Sequence, residues 1–119
     1  MKVLALIYGD ESRWDGLGEK EREEVYDRYR AFAAVTAAKI VDGAELAPTT
    51  SATTVRIRDG QSVVTDGPYA DTKEALGGFF LLDCADLEEA AEVAAQIPGA
   101  ATGAIELRAG AEREEEEAA

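Results

Sequence analysis

The order of hydrophobic and polar positions predicts a strand, a loop and a long helix in the first third of the chain. Residues 1–8 are rich in leucine and β-branched side chains, which is typical of a strand, and residues 9–18 form a loop. Between 19 and 41, apolar residues return every three or four positions with charges between them. This spacing predicts one helix, which Gly43 would end.

The middle of the chain predicts a short strand followed by a β-hairpin. Residues 44–47 can form the short strand, which Pro48 would end. Residues 53–58 alternate between apolar and polar side chains, as in a strand with one solvated face. Asp59-Gly60 is a strong two-residue turn signal, so residues 61–65 should form the returning strand.

The last third predicts a strand, a second helix and a final strand. The strand covers residues 77–83, the helix begins after its cap Asp86 and ends at Pro98, and the last strand covers 104–109. The whole order is β, α, β, β-hairpin, β, α, β, without a repeat or linker. It predicts a single α+β domain over residues 1–109 with a ferredoxin-like fold, an antiparallel sheet carrying two helices on one face.

Both presumed central strands are apolar on their two sides, which favours a homodimer. Two helices cover only one face of a sheet, and each large side chain left in water forgoes roughly 1.5–3 kcal/mol of burial. A second copy of the chain would shelter the other face. The alternative is that the long loop and the tail cover it. The side chains facing alternate sides are Leu4, Leu6 and Tyr8 against Val3, Ala5 and Ile7, and Phe79 and Leu81 against Phe80 and Leu82.

Composition limits the function classes. The net charge is −13, which argues against nucleic acid and anionic membrane surfaces as partners, and residues 110–119 form an acidic segment that we expect to be disordered. The chain contains no histidine, so Ser-His-Asp and Cys-His catalysis and His-ligated metals are excluded. We expect no cofactor and no metal.

The single cysteine and the lack of a long apolar run predict a cytoplasmic protein. Cys84 cannot form an internal disulfide, which agrees with a reducing compartment, and as an unsupported thiol it is expected to be inert. The apolar runs are strand-sized, so neither a membrane span nor a signal peptide is expected.

The loop over residues 66–74 is the first candidate for chemistry. Asp66 or Glu74 could act as a general base, Lys73 could hold an anionic substrate group, and Tyr69 could serve as an acid or a stacking surface. The structural alternative is a turn at Asp66 and an ordinary ion pair between Glu74 and a cation.

A second set of residues could bind a substrate around these groups. Trp14, in a loop with Asp10 and Arg13, is either a lid over a ligand or a plug on the core. Paired glycines let a ligand or another backbone come close to the strand at Gly78. The full substrate-binding set comprises Tyr8, Trp14, Thr53, Thr72, Gly78 and Phe79.

The motif Asp-Gly-Pro-Tyr-Ala-Asp-Thr-Lys-Glu at 66–74, followed by Leu-Gly-Gly-Phe-Phe at 76–80, resembles the signature of the YCII-related, DGPF-domain proteins. The resemblance runs from Met1 to about Arg108. Tyr69 replaces the usual Phe and Asp71 the usual Glu. The resemblance implies a ferredoxin-like dimeric α/β barrel, and an association with sigma factors as a possible protein partner.

The resemblance implies much less about activity. The His-Asp pair of some relatives cannot be carried over, because this chain has no histidine. Three expectations follow. One is a cofactor-independent enzyme that performs proton transfer or elimination, of the lyase or isomerase type, on a small organic molecule in a dimeric-barrel cleft. The second is a non-catalytic ligand-binding or regulatory module. The third is a structural dimer with no cavity.

Overall fold

The computed structural model describes residues 1–111, so most of the expected disordered tail, residues 112–119, lies outside the described part. Within it the chain is α+β, as predicted. The strands are β1 Lys2–Asp10, β2 Ile40–Glu45, β3 Thr53–Arg58, β4 Gln61–Asp66, β5 Glu74–Asp83 and β6 Ala104–Ala109, and the α-helices are α1 Glu11–Asp15, α2 Glu19–Val35 and α3 Leu87–Ala94.

Four strands form an antiparallel sheet in the order β2-β5-β1-β6, and β3 and β4 form a separate two-stranded hairpin. The central position of β1 and β5 is the one that their apolar sequences predict. This arrangement is compatible with a ferredoxin-like fold. The dimeric barrel that the sequence predicts stays a prediction.

The hydrophobic core lies between one face of this sheet and the helices. Val3, Ala5 and Leu82 on the two central strands are completely buried. They belong to one cluster with Phe32 of α2 and with Ala90 of α3. The small side chain of alanine allows α3 to lie close to the sheet.

The opposite face of the sheet, which we call the open face, is also apolar at its centre. Leu4 and Leu6 of β1 lie directly opposite Leu81 and Phe79 of β5, on the side turned away from the core. All four side chains are only half-buried. This is the surface that the sequence analysis expected a second copy to cover.

A β-bulge interrupts the pairing of β1 and β5. Ile7 pairs with Gly78 and Tyr8 pairs with Leu76, so Gly77 has no partner on β1. A bulge accommodates one extra residue on one strand and increases the local twist. The pairing then continues to the end of β1, which is why β5 begins at Glu74 and not at residue 77 as predicted.

The prediction of a helix over residues 19–41 was wrong at its end, because α2 stops at Val35. The Thr36 hydroxyl donates to the Phe32 carbonyl at 2.7 Å, and Thr36 closes the helix. Ile40 satisfies the helical spacing but belongs to β2, where it packs against the core. β2 therefore covers residues 40–45 and not 44–47.

Two further boundaries differ from the sequence prediction. The predicted loop at 9–18 contains the short helix α1, which begins because the Asp10 carboxylate accepts a hydrogen bond from the Ser12 backbone N–H at 3.0 Å. The second predicted helix ends earlier than Pro98, because α3 stops at Ala94 and the chain tightens into a single 3₁₀ turn at Pro98–Ala100.

The Asp59-Gly60 turn is confirmed. Asp59 has φ 51° and Gly60 has φ 75°, so both central residues are left-handed, as a two-residue hairpin turn of the primed type requires. Across residues 1–111, no helix combines the length and apolar character needed to cross a membrane.

Candidate functional site

An open depression of about 640 Å³ lies where β1 ends and β5 begins. Two cations, two carboxylates and two hydroxyls converge on it, and we call it the strand-end depression. Its lining residues are Asp10, Arg13, Thr72, Lys73, Glu74 and Thr102. Three of them, Thr72, Lys73 and Glu74, belong to the 66–74 loop that the sequence analysis named first, and Asp10 and Arg13 belong to its second set.

Antiparallel pairing explains why these residues meet. Asp10 is the last residue of β1 and pairs with Glu74, the first residue of β5. The bulge makes this pairing possible, because regular pairing through Gly77 would place Ala75 opposite Asp10 instead. Ala75 is buried. The side chain of Glu74, its neighbour in the strand, therefore points away from the core together with that of Asp10.

The Asp10 carboxylate is held in its ionised form. Its Oδ1 accepts hydrogen bonds from the Ser12 hydroxyl at 2.7 Å and from the Ser12 backbone N–H at 3.0 Å. These bonds lower the pKa of Asp10, and the positive charge of Lys73 contributes in the same direction. A carboxylate stabilised in this way is a weak proton acceptor, so Glu74 is the better candidate for a general base among the lining residues.

The loop leading into β5 is fixed by a local hydrogen bond. The Thr72 hydroxyl donates to the backbone carbonyl of Glu74 at 2.8 Å. This bond orders the segment that carries Lys73, which lies between them.

Asp66 and Tyr69 line a different and smaller depression of about 100 Å³ at the base of the β3–β4 hairpin. The Arg56 guanidinium lies 5.1 Å from the centroid of the Tyr69 ring. Gly67 has φ 107°, and its carbonyl accepts from the Thr54 hydroxyl at 2.8 Å, which agrees with the structural alternative of a turn. Among the described residues, the two depressions have no lining residue in common.

The remaining candidates lie in other places. By strand alternation Tyr8 and Phe79 face the open side of the sheet, and Thr53 is exposed at the start of β3. Gly78 lies against the backbone of β2, because a Cβ atom added there would be 2.9 Å from the Ala44 carbonyl oxygen. Its small size therefore serves the close approach of two strands.

Trp14 belongs to α1 and packs against two side chains of α2, outside the buried core cluster. Its ring meets that of Tyr26 edge-on with a centroid separation of 5.4 Å. The Arg22 guanidinium lies 5.1 Å from the centroid of the Trp14 ring, and its Nη2 donates to the Trp14 carbonyl at 3.1 Å. These contacts occupy the indole with neighbours from its own chain.

Sequence reasoning missed Thr102 and did not join Asp10 and Arg13 to the 66–74 loop. The signal was available in the strand order. β6 runs antiparallel to β1, so the loop before β6 must lie beside the end of β1, where Asp10 is. Arg13 follows within one turn of helix.

Two other groups offer little chemistry. Within the described residues 1–111, no group of three or more cysteine and acidic side chains is arranged to hold a metal ion. Cys84 is buried, and the loss of solvent raises the pKa of its thiol, with the Glu89 carboxylate contributing in the same direction. A thiol with a raised pKa is a poor nucleophile at neutral pH.

Comparison with known proteins places the chain in a family. The model of the YCII-related domain matches residues 1–110. An uncharacterised protein of Rhizobium meliloti (strain 1021) is similar as well, with 41% identity over 112 residues, which cover 91% of this chain and 90% of the relative. The match extends over both depressions and all the strands and helices described above. The chain therefore belongs to the YCII-related domain family.

Proposed function

We propose that this protein is a homodimer that binds a small hydroxylated organic anion in the strand-end depression. One observation carries the proposal: Arg13 and Lys73 line the same open space as the Thr72 and Thr102 hydroxyls and the Glu74 carboxylate. A guanidinium and an ammonium suit a carboxylate of the ligand, and a protein carboxylate can accept a hydrogen bond from a ligand hydroxyl.

The homodimer is supported by the open face. Leu4, Leu6, Phe79 and Leu81 form a continuous apolar strip on two adjacent strands, on the side without the helices. Two such faces related by a two-fold axis would cover each other, in the manner of a dimeric α/β barrel. The strand-end depression, at the end of the same two strands, would then lie at the rim of the interface.

Binding can be tested by isothermal titration calorimetry with a panel of small hydroxycarboxylates and their neutral amides. We expect the carboxylates to bind and the amides to bind at least 10-fold more weakly, because the amides lack the charge that Lys73 and Arg13 recognise. Lys73→Ala should weaken binding by 10-fold or more, whereas Lys73→Arg should retain most of it.

Lys20→Ala is the matched control, because Lys20 is an exposed lysine of α2 outside the depression. It should bind like the wild type. Failure of the whole panel to bind, or equal losses in Lys73→Ala and Lys20→Ala, would reject the strand-end depression as the binding site.

A second candidate function is catalysis without a cofactor, in which Glu74 removes a proton from a carbon next to the ligand carboxylate. The neighbouring Lys73 favours this reading, because its charge would stabilise the resulting enolate. The expectation can be checked by NMR, following exchange of that C–H with solvent deuterium for any hydroxycarboxylate that binds. Glu74→Gln should abolish exchange while keeping the affinity.

If the wild type binds but does not exchange the proton, a ligand-binding or regulatory module is the better description. Roles for Asp66 and Tyr69 in the same reaction, a cytoplasmic location and a sigma-factor partner all stay predictions. The last follows only from the family resemblance.

A further inference from the structure

The β3–β4 hairpin, residues 53–66, which we call the arm, has one apolar face that the described part of the chain, residues 1–111, leaves uncovered. Register places Val55 opposite Val64, with Ile57 on the same face. These three side chains are 62%, 63% and 59% exposed, respectively. The other face of the arm carries Arg56 and Val63.

The arm is also weakly attached to the rest of the chain. Within the described residues, no hydrogen bond or ion pair joins 55–64 to the four-stranded sheet or to a helix. A two-stranded hairpin by itself is marginally stable in water. The exposed apolar face of the arm is therefore expected to pack against another surface.

The arm is too small to hold a partner by itself. A standard interface needs about 800 Å² from each partner, which is more than three exposed side chains supply. The arm can therefore only add to a contact made elsewhere, and the open face would provide that contact for a second copy of the chain.

Charge favours a second copy of this chain as the occupant. The chain as a whole has a net charge of −13, so most of its surface would repel another copy. The arm carries no net charge, because Arg56 and Arg58 balance Asp59 and Asp66. It can approach an acidic copy without adding repulsion.

We infer that the arm packs its Val55, Ile57 and Val64 face against the second subunit and clamps the dimer. This inference rests on the homodimer of the proposed function and adds a second interface to the open face. In an isologous dimer each subunit gives one arm and receives one, so the contact is made twice and strengthens the assembly on both sides.

The test compares two substitutions on adjacent residues of one strand. Val64→Glu places a charge on the apolar face, and Val63→Glu places the same charge on the opposite face of the arm. Sedimentation velocity over a dilution series should show at least a 10-fold increase in the dimer dissociation constant for Val64→Glu and less than a 3-fold change for Val63→Glu. The milder Val64→Thr should give an intermediate effect, and circular dichroism should show an intact fold in all three.

Hydrogen exchange provides a readout that does not depend on these variants. The amides of 53–66 in the wild type should be protected at concentrations where it is a dimer and should lose protection on dilution to the monomer. Equal effects of the two glutamates, or no protection of the arm in the dimer, would overturn the inference. An arm that stays unprotected in a stable dimer would be free for a different protein.

A further variant distinguishes a wrong inference about the arm from a wrong proposal of a homodimer. Leu6→Glu, on the open face, should dissociate the dimer even if the arm plays no part in it. If Leu6→Glu dissociates the dimer and Val64→Glu does not, the open-face dimer stands and the arm inference is rejected. If the wild type is monomeric at all concentrations, both are rejected.

Discussion

A Cβ atom added to Gly103 would overlap the backbone carbonyl of Tyr8, so only glycine fits where the loop before β6 meets the end of β1. This contact sets the loop that carries Thr102 against the strand that ends in Asp10. It therefore holds together two sides of the strand-end depression.

The first prediction follows from this contact. Gly103→Ala should lower the free energy of unfolding by roughly 3 kcal/mol, because the backbone must move to admit the methyl group. Gly9→Ala is the control, since a Cβ atom at Gly9 would meet nothing within 4 Å. It should cost less than about 1 kcal/mol. Urea unfolding followed by circular dichroism measures both, and similar costs would contradict the contact.

The second prediction concerns pH. The Glu89 carboxylate accepts from the backbone N–H of Ala85 at 2.9 Å and from the Lys39 ammonium at 3.1 Å. The first contact, and then the second, lower its pKa below the ordinary value near 4.5. Glu89 therefore contributes stability that is fully present above that value and is lost as pH falls through the lower folded pKa.

Glu89→Gln should accordingly lower stability at pH 7 and flatten the decline of stability as pH falls below 4.5. Glu92→Gln is the control on the same helix, because no hydrogen bond or ion pair of the Glu92 carboxylate is present among residues 1–111. Urea unfolding at a series of pH values distinguishes them. A decline as steep in Glu89→Gln as in the wild type would show that these contacts do not contribute.

The third prediction concerns the thiol. Cys84 is buried and its pKa is raised, so an aromatic disulfide reagent at pH 7.5 should label it at least about 100-fold more slowly in the folded protein than in urea. The reaction can be followed by absorbance. Fast labelling under native conditions would mean that the chain around Cys84, just after the end of β5, unfolds locally and often.

The fourth prediction tests the packing of Trp14 against α2. Arg22→Lys should cost about 1 kcal/mol, because an ammonium cannot both cover the Trp14 ring and make the two guanidinium bonds to its carbonyl. Arg28→Lys, at an exposed position of the same helix, should be nearly neutral. Thermal unfolding followed by tryptophan fluorescence measures both, and equal stabilities would argue against the packing.

The parts of the fold that depend on local chemistry were predictable, and those that depend on distant partners were not. Asp59-Gly60 specifies its own turn, because few other residue pairs tolerate two left-handed conformations. Ile40, by contrast, continues the helical spacing of α2, and only its place beside β5 assigns it to a strand. Periodicity alone does not contain that information.

The candidate site divides in the same way. Lys73 and Glu74 were found from the sequence because they are close along the chain, and so were Asp66 and Tyr69. They line two different depressions because β4 and β5 belong to different sheets, which the sequence alone does not reveal. The meeting of Asp10 with Glu74 depends on register over more than sixty residues.

Because Gly77 is the extra residue of the bulge, it lengthens β5 without taking a partner on β1. Removing this residue would leave Tyr8 facing Leu76 and Asp10 facing Glu74, with only the bend of the strand altered. A one-residue deletion between residues 79 and 83 would instead turn the side chains on one side of the deletion in β5 to the opposite face of the sheet. A one-residue gap at the glycine pair in an alignment is thus compatible with the same site, whereas a gap a few positions later indicates a different one.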